Sequence, residues 1–136
     1  MERDIKEHFR QVAAAYNLVA VVGPRQAGKT TFLKAQAKDE DLIYLMFDDP
    51  AVLGLFNDDV KRFENQYLKG RPLSVLDEVQ YGTGAGRKLK YLADSGYRIW
   101  LTSSSQSILG KEVLSFLVGR VSIIRLFRSH LPNSSI

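Results

Sequence analysis

Residues 23 to 30 read Gly-Pro-Arg-Gln-Ala-Gly-Lys-Thr, the pattern G-x-x-x-x-G-K-[ST] that lets a backbone close around a chain of phosphates. Gly23 and Gly28 permit a path in which successive N–H groups point inward with no Cβ between them and an anion. A helix starting at about Lys29 adds unsatisfied N–H groups and the positive end of its dipole, which favours a β-phosphate. Lys29 is then expected to reach the β- and γ-phosphates as a point charge, Thr30 to ligate Mg²⁺ through its hydroxyl, and Thr31 to touch the α-phosphate. Pro24, Arg25, Gln26 and Ala27 complete the cradle. Four fixed positions coincide by chance in well under roughly one chain of this length in a hundred. The alternative is a glycine-containing turn before an ordinary helix, with Lys29 merely solvated.

A phosphate loop alone binds; hydrolysis also needs a carboxylate that orients a metal and a group that positions water. Asp77-Glu78 follows the apolar residues Leu73, Val75 and Leu76. Asp77, ending a buried strand, is expected to hold Mg²⁺ through water, with Glu78 orienting or deprotonating the attacking water. An acidic turn that simply ends a strand is the alternative. Ser103, Ser104 and Ser105 lie just past another apolar run, where a hydroxyl can sense the γ-phosphate or, equally, cap the next helix. Asp48 and Asp49 stand at a comparable strand end, but Asp-Asp-Pro turn chemistry accounts for them. Arg120 is a candidate to neutralise phosphate charge in a neighbouring subunit, or is a structural arginine. His8 and His130 suggest no metal pair, and the tyrosines and Trp100 read as core and interface residues.

These side chains need a scaffold that brings strand ends together. Ile5, Phe9, Val12, Ala13 and Tyr16 recur at helical spacing, predicting an amphipathic N-terminal helix. Leu18 to Val22 is a short apolar run ending at the loop glycine, as a central parallel strand requires. Further strands are predicted at 42–47, 73–76, 99–101 and near 121–124, and helices at 51–69, 86–95 and 106–117. Gly82, Gly84 and Gly86 read as a mobile loop. Strands alternating with helices imply a three-layer α/β sandwich around a mainly parallel sheet with right-handed crossovers. The strand at 42–47, lying in sequence between the loop strand and the Asp77 strand, is compatible with the inserted-strand sheet of Glu-dependent ATPases.

The chain has 136 residues, 45% hydrophobic and 25% charged, the balance of one ordinary globular domain but short for a doubly wound sheet with full machinery. There are no cysteines, which excludes disulfides and thiolate metal sites, and the opening Met-Glu-Arg-Asp leads into no apolar signal core. A cytoplasmic location is the resulting expectation. No apolar stretch approaches the roughly 20 residues needed to span a bilayer. The net charge of +4 is scattered among acids, which is weak evidence for nucleic acid.

Gly-Pro-Arg-Gln-x-Gly-Lys-Thr-Thr at 23–31, Asp48-Asp49-Pro50, Leu76-Asp77-Glu78-Val79-Gln80, Leu89-Lys90-Tyr91-Leu92, Leu101-Thr102 with the serines, and Leu117-x-Gly119-Arg120 together resemble one group. It is the prokaryotic AAA-type P-loop ATPases that carry a C-terminal domain of unknown function. The resemblance runs to about Phe127. It implies the Walker A role for Lys29 and Thr30, the Walker B role for Asp77 and Glu78, a sensor position for Ser104 and the family's arginine after glycine at Arg120. ATP and Mg²⁺ are the implied cofactors. A homo-oligomer or protein partner is an open expectation, and DNA is implied only through the C-terminal domain. One departure is Ser103, where the group usually has glycine.

The larger departure is the end of the chain. The group continues with a pattern like Leu-x-Pro-Leu-Ser-Phe-x-Glu-Phe and a second domain, whereas this sequence ends Phe127-Arg128-Ser129-His130-Leu131-Pro132-Asn133-Ser134-Ser135-Ile136. With synonymous codons, one cytosine added before the Arg128 codon makes the rest read Pro-Leu-Ser-Phe-Ala-Glu-Phe-Leu-Asp. The hypothesis is a frameshift near Phe127, leaving residues 1–127 as the ATPase domain and 128–136 as an out-of-frame tail. An unbroken frame on resequencing, with no downstream remnant of the second domain, would refute it. The expected function is Mg²⁺-dependent ATP binding and hydrolysis; the alternative is a truncated binding or regulatory module with negligible turnover.

Overall fold

The computed structural model describes residues 2–24, 28–37, 41–104, 115, 117, 119 and 121–126. Helix α1 (Glu2–Ala15) turns Phe9, Val12 and Ala13 inward at helical spacing and leads into β1 (Leu18–Gly23), every residue of which is buried. Gly28, at φ 80°, stands before α2 (Lys29–Gln36) in the left-handed region that glycine adopts without strain. Strand β2 (Leu42–Met46) stops at Asp48-Asp49-Pro50. There the Asp49 carboxylate accepts the Ala51 N–H at 2.9 Å, and Pro50 takes the first position of α3 (Pro50–Asp58). Asp49 is thus explained by capping, as the turn chemistry of Asp-Asp-Pro suggested.

Asp59 caps the short α4 (Val60–Phe63), which runs into a π-helical turn at Glu64–Leu68. Strand β3 (Leu73–Asp77), a 3₁₀ turn at Val79–Tyr81, α5 (Ala85–Asp94), β4 (Ile99–Ser104) and β5 (Val121–Arg125) follow. The helix expected over 106–117 falls almost wholly outside the described residues, as do Ser105, Arg128 and the rest of the tail.

All five strands are parallel, in the order β2-β3-β4-β1-β5. The inserted strand is β4, which lies between β1 and β3, while β2 takes the edge. The alternation of β1 shows the layers. Leu18, Ala20 and Val22 pack with residues of α3, α4 and α5, including Phe56, Phe63, Leu89 and Leu92. Val19 and Val21 pack with Phe9, Val12 and Ala13 of α1 and Leu33 of α2. Trp100 is a core residue, edge-on to Phe9 at 4.7 Å. No helix among the described residues is long and apolar enough to cross a membrane.

The glycine-rich segment differs from the expected mobile loop. A Cβ on Gly82 would lie 2.6 Å from Phe56 Cε2 and 3.1 Å from Phe47 Cε2, so glycine there lets the backbone rest on two rings. The Thr83 N–H donates to Asn57 Oδ1 at 2.7 Å, and Lys88 Nζ donates to the Phe56 and Asn57 carbonyls at the end of α3. Gly86 is buried within α5. Packing and capping therefore tie down a stretch whose composition alone suggested freedom.

Candidate functional site

The alternation that divides the sheet into two faces also selects which polar residues meet. On the face covered by α1 and α2 lie Leu73 and Val75, Trp100, Leu42 and Tyr44. Period two therefore places Asp77, Thr102 and Ser104 on that same face, at the carboxyl ends of their strands. Helix α2 begins there and supplies Lys29 and Thr30.

The contacts are close. Thr30 Oγ1 donates to Asp77 Oδ1 at 3.0 Å across 47 positions of sequence. Thr102 Oγ1 donates to the same carboxylate oxygen at 2.6 Å and accepts the Glu78 N–H at 2.8 Å. Glu78 has φ 59° and ψ 53°, the only non-glycine with positive φ among the described residues. Such a conformation costs about 1–3 kcal/mol and persists only where surrounding structure enforces it. The Thr102 hydroxyl is that enforcement.

Lys29 is buried at 6% exposure and donates to the Gly23 and Pro24 carbonyls at 3.0 and 3.3 Å. Its Nζ also lies 3.8 Å from Glu78 Oε1, an enclosed carboxylate oxygen with no hydrogen bond among the described residues. Glu78 Oε2 accepts from Gln80 Nε2 at 3.3 Å. The enclosed Tyr44 hydroxyl faces Thr30 and Asp77 without a well-aligned hydrogen bond among the described residues, and its pKa is pushed up to about 12. Burial is the main cause; the Thr30 hydroxyl opposes it, and the Asp77 and Glu78 charges add to it.

Gly23, Pro24, Gly28, Lys29, Thr30, Asp77 and Glu78 therefore converge as expected from sequence. Ser104 is buried at the end of β4 and pairs in register with Gly23, beside the loop. Thr31 is exposed on α2. Arg25, Gln26, Ala27 and Arg120 lie outside the described residues. Ser103 points the other way by strand alternation, fully buried with its Oγ unpartnered among the described residues. The glycine usual in the resembling group would bring no hydroxyl to bury there.

Three neighbours of the site carried no site role in the sequence reading: Thr102, Tyr44 and Gln80. The alternation of β4 counted from Trp100 places Thr102 on the correct face. Its proximity to Asp77, however, depends on β4 pairing with β3, which spacing does not reveal.

A glycine-bounded loop feeding a helix, the Asp77 strand set one strand away from β1, and the parallel order β2-β3-β4-β1-β5 match a P-loop nucleotide-binding domain of the AAA type. The chain belongs to the AAA domain family, whose model matches residues 15–131. It is 32% identical over 106 residues to the uncharacterized protein MJ1544 of Methanocaldococcus jannaschii, covering 74% of this chain and 24% of that protein. Among solved structures it is similar to a crystal structure of a DNA replication initiation factor. That likeness has a TM-score of 0.60 and 24% identity, over 94% of this chain and 46% of the other, and is a likeness of fold. The chain thus spans well under two thirds of either protein.

Proposed function

We propose that this domain binds ATP with Mg²⁺ and hydrolyses it by in-line attack of a water held by Glu78. The observation that carries the reading is the Thr30–Asp77 hydrogen bond at 3.0 Å, which joins the Walker A helix to the Walker B strand. The hydroxyl and carboxylate oxygens are the hard donors that Mg²⁺ takes, so this pair fits the ion and would hold it directly or through water. When bound, the ion would supply charge neutralisation at the β- and γ-phosphates.

The chain's own residues do the rest. The loop from Gly23 to Gly28 presents backbone N–H groups to the phosphates, Lys29 turns from its loop carbonyls to the β- and γ-oxygens, and Thr31 lies near the α-phosphate. Glu78 Oε1, which accepts no hydrogen bond among the described residues, takes a proton as the water oxygen bonds to the γ-phosphorus. The bond from that phosphorus to the bridging oxygen breaks, ADP leaves with the oxygen, and the proton passes on to phosphate or solvent. Ser104, beside Gly23, senses the γ-phosphate; Arg120 serves a neighbouring subunit in a homo-oligomer. DNA is a partner only through a C-terminal domain, a reading in keeping with the similarity of fold to a DNA replication initiation factor.

Lys29→Ala is expected to abolish ATP binding, whereas Glu78→Gln keeps binding and slows turnover. Equal ATP affinity in the parent chain and Lys29→Ala, measured by titration calorimetry, would sink the assignment. Steady-state turnover no faster than the Glu78→Gln control would leave a nucleotide-binding module instead.

A further inference from the structure

The segment after β3 folds back on itself. Glu78 in the left-handed region and the 3₁₀ turn at Val79–Tyr81 reverse the chain, bringing the Gln80 side chain onto the Glu78 carboxylate. Gln80 is only 3% exposed; its Nε2 donates to Glu78 Oε2 at 3.3 Å, and its own Oε1 has no partner among the described residues. Charge sets the amide's direction, because the opposite orientation would press its carbonyl oxygen against carboxylate lone pairs. A buried amide with an unpaired carbonyl is a poor choice for stability, and a methionine of the same length would fill the space without that cost. A donor is what glutamine adds. The two oxygens of Glu78 are thereby made different: Oε2 is tied to Gln80, and Oε1, 3.8 Å from Lys29 Nζ, has no hydrogen bond among the described residues.

We propose that Gln80 is a positioning residue that holds Glu78 by Oε2, so that Oε1 alone faces the phosphate loop and takes the proton of the attacking water. The inference rests on the hydrolytic reading above and assigns the two carboxylate oxygens separate tasks. The orientation is set twice, by the Thr102 bond to the Glu78 backbone and by the Gln80 bond to its side chain.

The test is Gln80→Met, with ATP affinity, kcat and urea unfolding measured on the parent, Gln80→Met, Glu78→Gln and the double variant. The expected result is ATP affinity and stability no worse than the parent, with kcat lowered about 10- to 100-fold, the scale of a misplaced reacting group. In the Glu78→Gln background the same change should lower kcat no further, because the residue acts through Glu78. Gln80→Ala, read the same way, serves if methionine is not accommodated. A kcat in Gln80→Met within about twofold of an active parent would overturn this proposal alone. An equal loss in the Glu78→Gln background would do so too. A parent chain no faster than Glu78→Gln would overturn it together with the hydrolytic reading.

Discussion

Thr102→Val replaces one hydroxyl by a methyl of nearly the same shape, so its effect isolates two hydrogen bonds. The bond that Thr102 donates to Asp77 Oδ1, at 2.6 Å, is buried, and bonds to ionised acceptors contribute about 1.5–3 kcal/mol. The Glu78 N–H, which donates to Thr102 at 2.8 Å, is left without that partner, costing about 1–3 kcal/mol where water cannot replace it. The bond from the Glu78 N–H is only partly buried, so the lower end of the two ranges applies, and the expected total is about 3 kcal/mol. For a domain of this size that corresponds to a fall in melting temperature of roughly 10 °C. Thr102→Ser is the control, since it keeps the hydroxyl and removes one methyl, worth about 0.8 kcal/mol. Urea unfolding followed by circular dichroism measures both. If Thr102→Val were no less stable than Thr102→Ser, the claim that this hydroxyl holds Glu78 in its left-handed conformation would fail.

Two glycines should respond in opposite directions to alanine. Gly82→Ala drives a Cβ to 2.6 Å from the Phe56 ring and should destabilise by about 1–3 kcal/mol, whereas Gly54→Ala enters open space in the middle of α3 and should stabilise by about 0.5–1 kcal/mol. Equal effects in thermal unfolding would refute the packing argument. Glu64 accepts from Tyr97 at 2.5 Å and Tyr91 at 2.7 Å, and these bonds, the Tyr97 one first, lower its pKa from the ordinary 4.5. Its contribution is therefore present above that ordinary value and lost as pH falls through the lower folded value. Tyr97, raised to about 12 mainly by its bond to Glu64, contributes below its ordinary pKa of 10.0 and loses that contribution as pH rises from there toward 12. Glu64→Gln should flatten both limbs of the urea midpoint against pH; unchanged limbs would reject the linkage.

The layers and most of the site were legible because local chemistry repeats there. The run from Leu18 to Val22 is apolar because both faces of β1 are covered, and Gly23, Gly28, Lys29 and Thr30 sit at fixed spacing because one loop and one helix start carry them. Asp77 and Glu78 were legible as a strand end. Less legible were contacts set by pairing between distant strands. Thr102 meets Asp77 only because β4 lies beside β3, and Tyr44 approaches Thr30 only because β2 borders β3 in the register Tyr44↔Val75. The segment 82–86 misled for a related reason. Gly82 is explained by the Phe47 and Phe56 rings, which lie on other parts of the chain and which composition cannot reveal.

The insertion of β4 has a geometric consequence that joins these particulars. Neighbouring strands are about 4.8 Å apart, so one strand between β1 and β3 separates their carboxyl ends by nearly 10 Å. Were β1 and β3 adjacent, there would be no strand end between them to support Glu78. With β4 inserted, Thr102 stands in the gap. It binds the Asp77 carboxylate with the same hydroxyl that receives the Glu78 N–H, while Thr30 reaches that carboxylate from α2. One oxygen of Asp77 thus serves as the common point of the phosphate-loop helix and the inserted strand. A shift of α2 on engaging phosphate would be felt at Thr102 and, through its hydrogen bond, at the backbone of Glu78. The sheet order therefore connects the backbone of Glu78 to the helix that follows Gly28, through two threonine hydroxyls and one carboxylate.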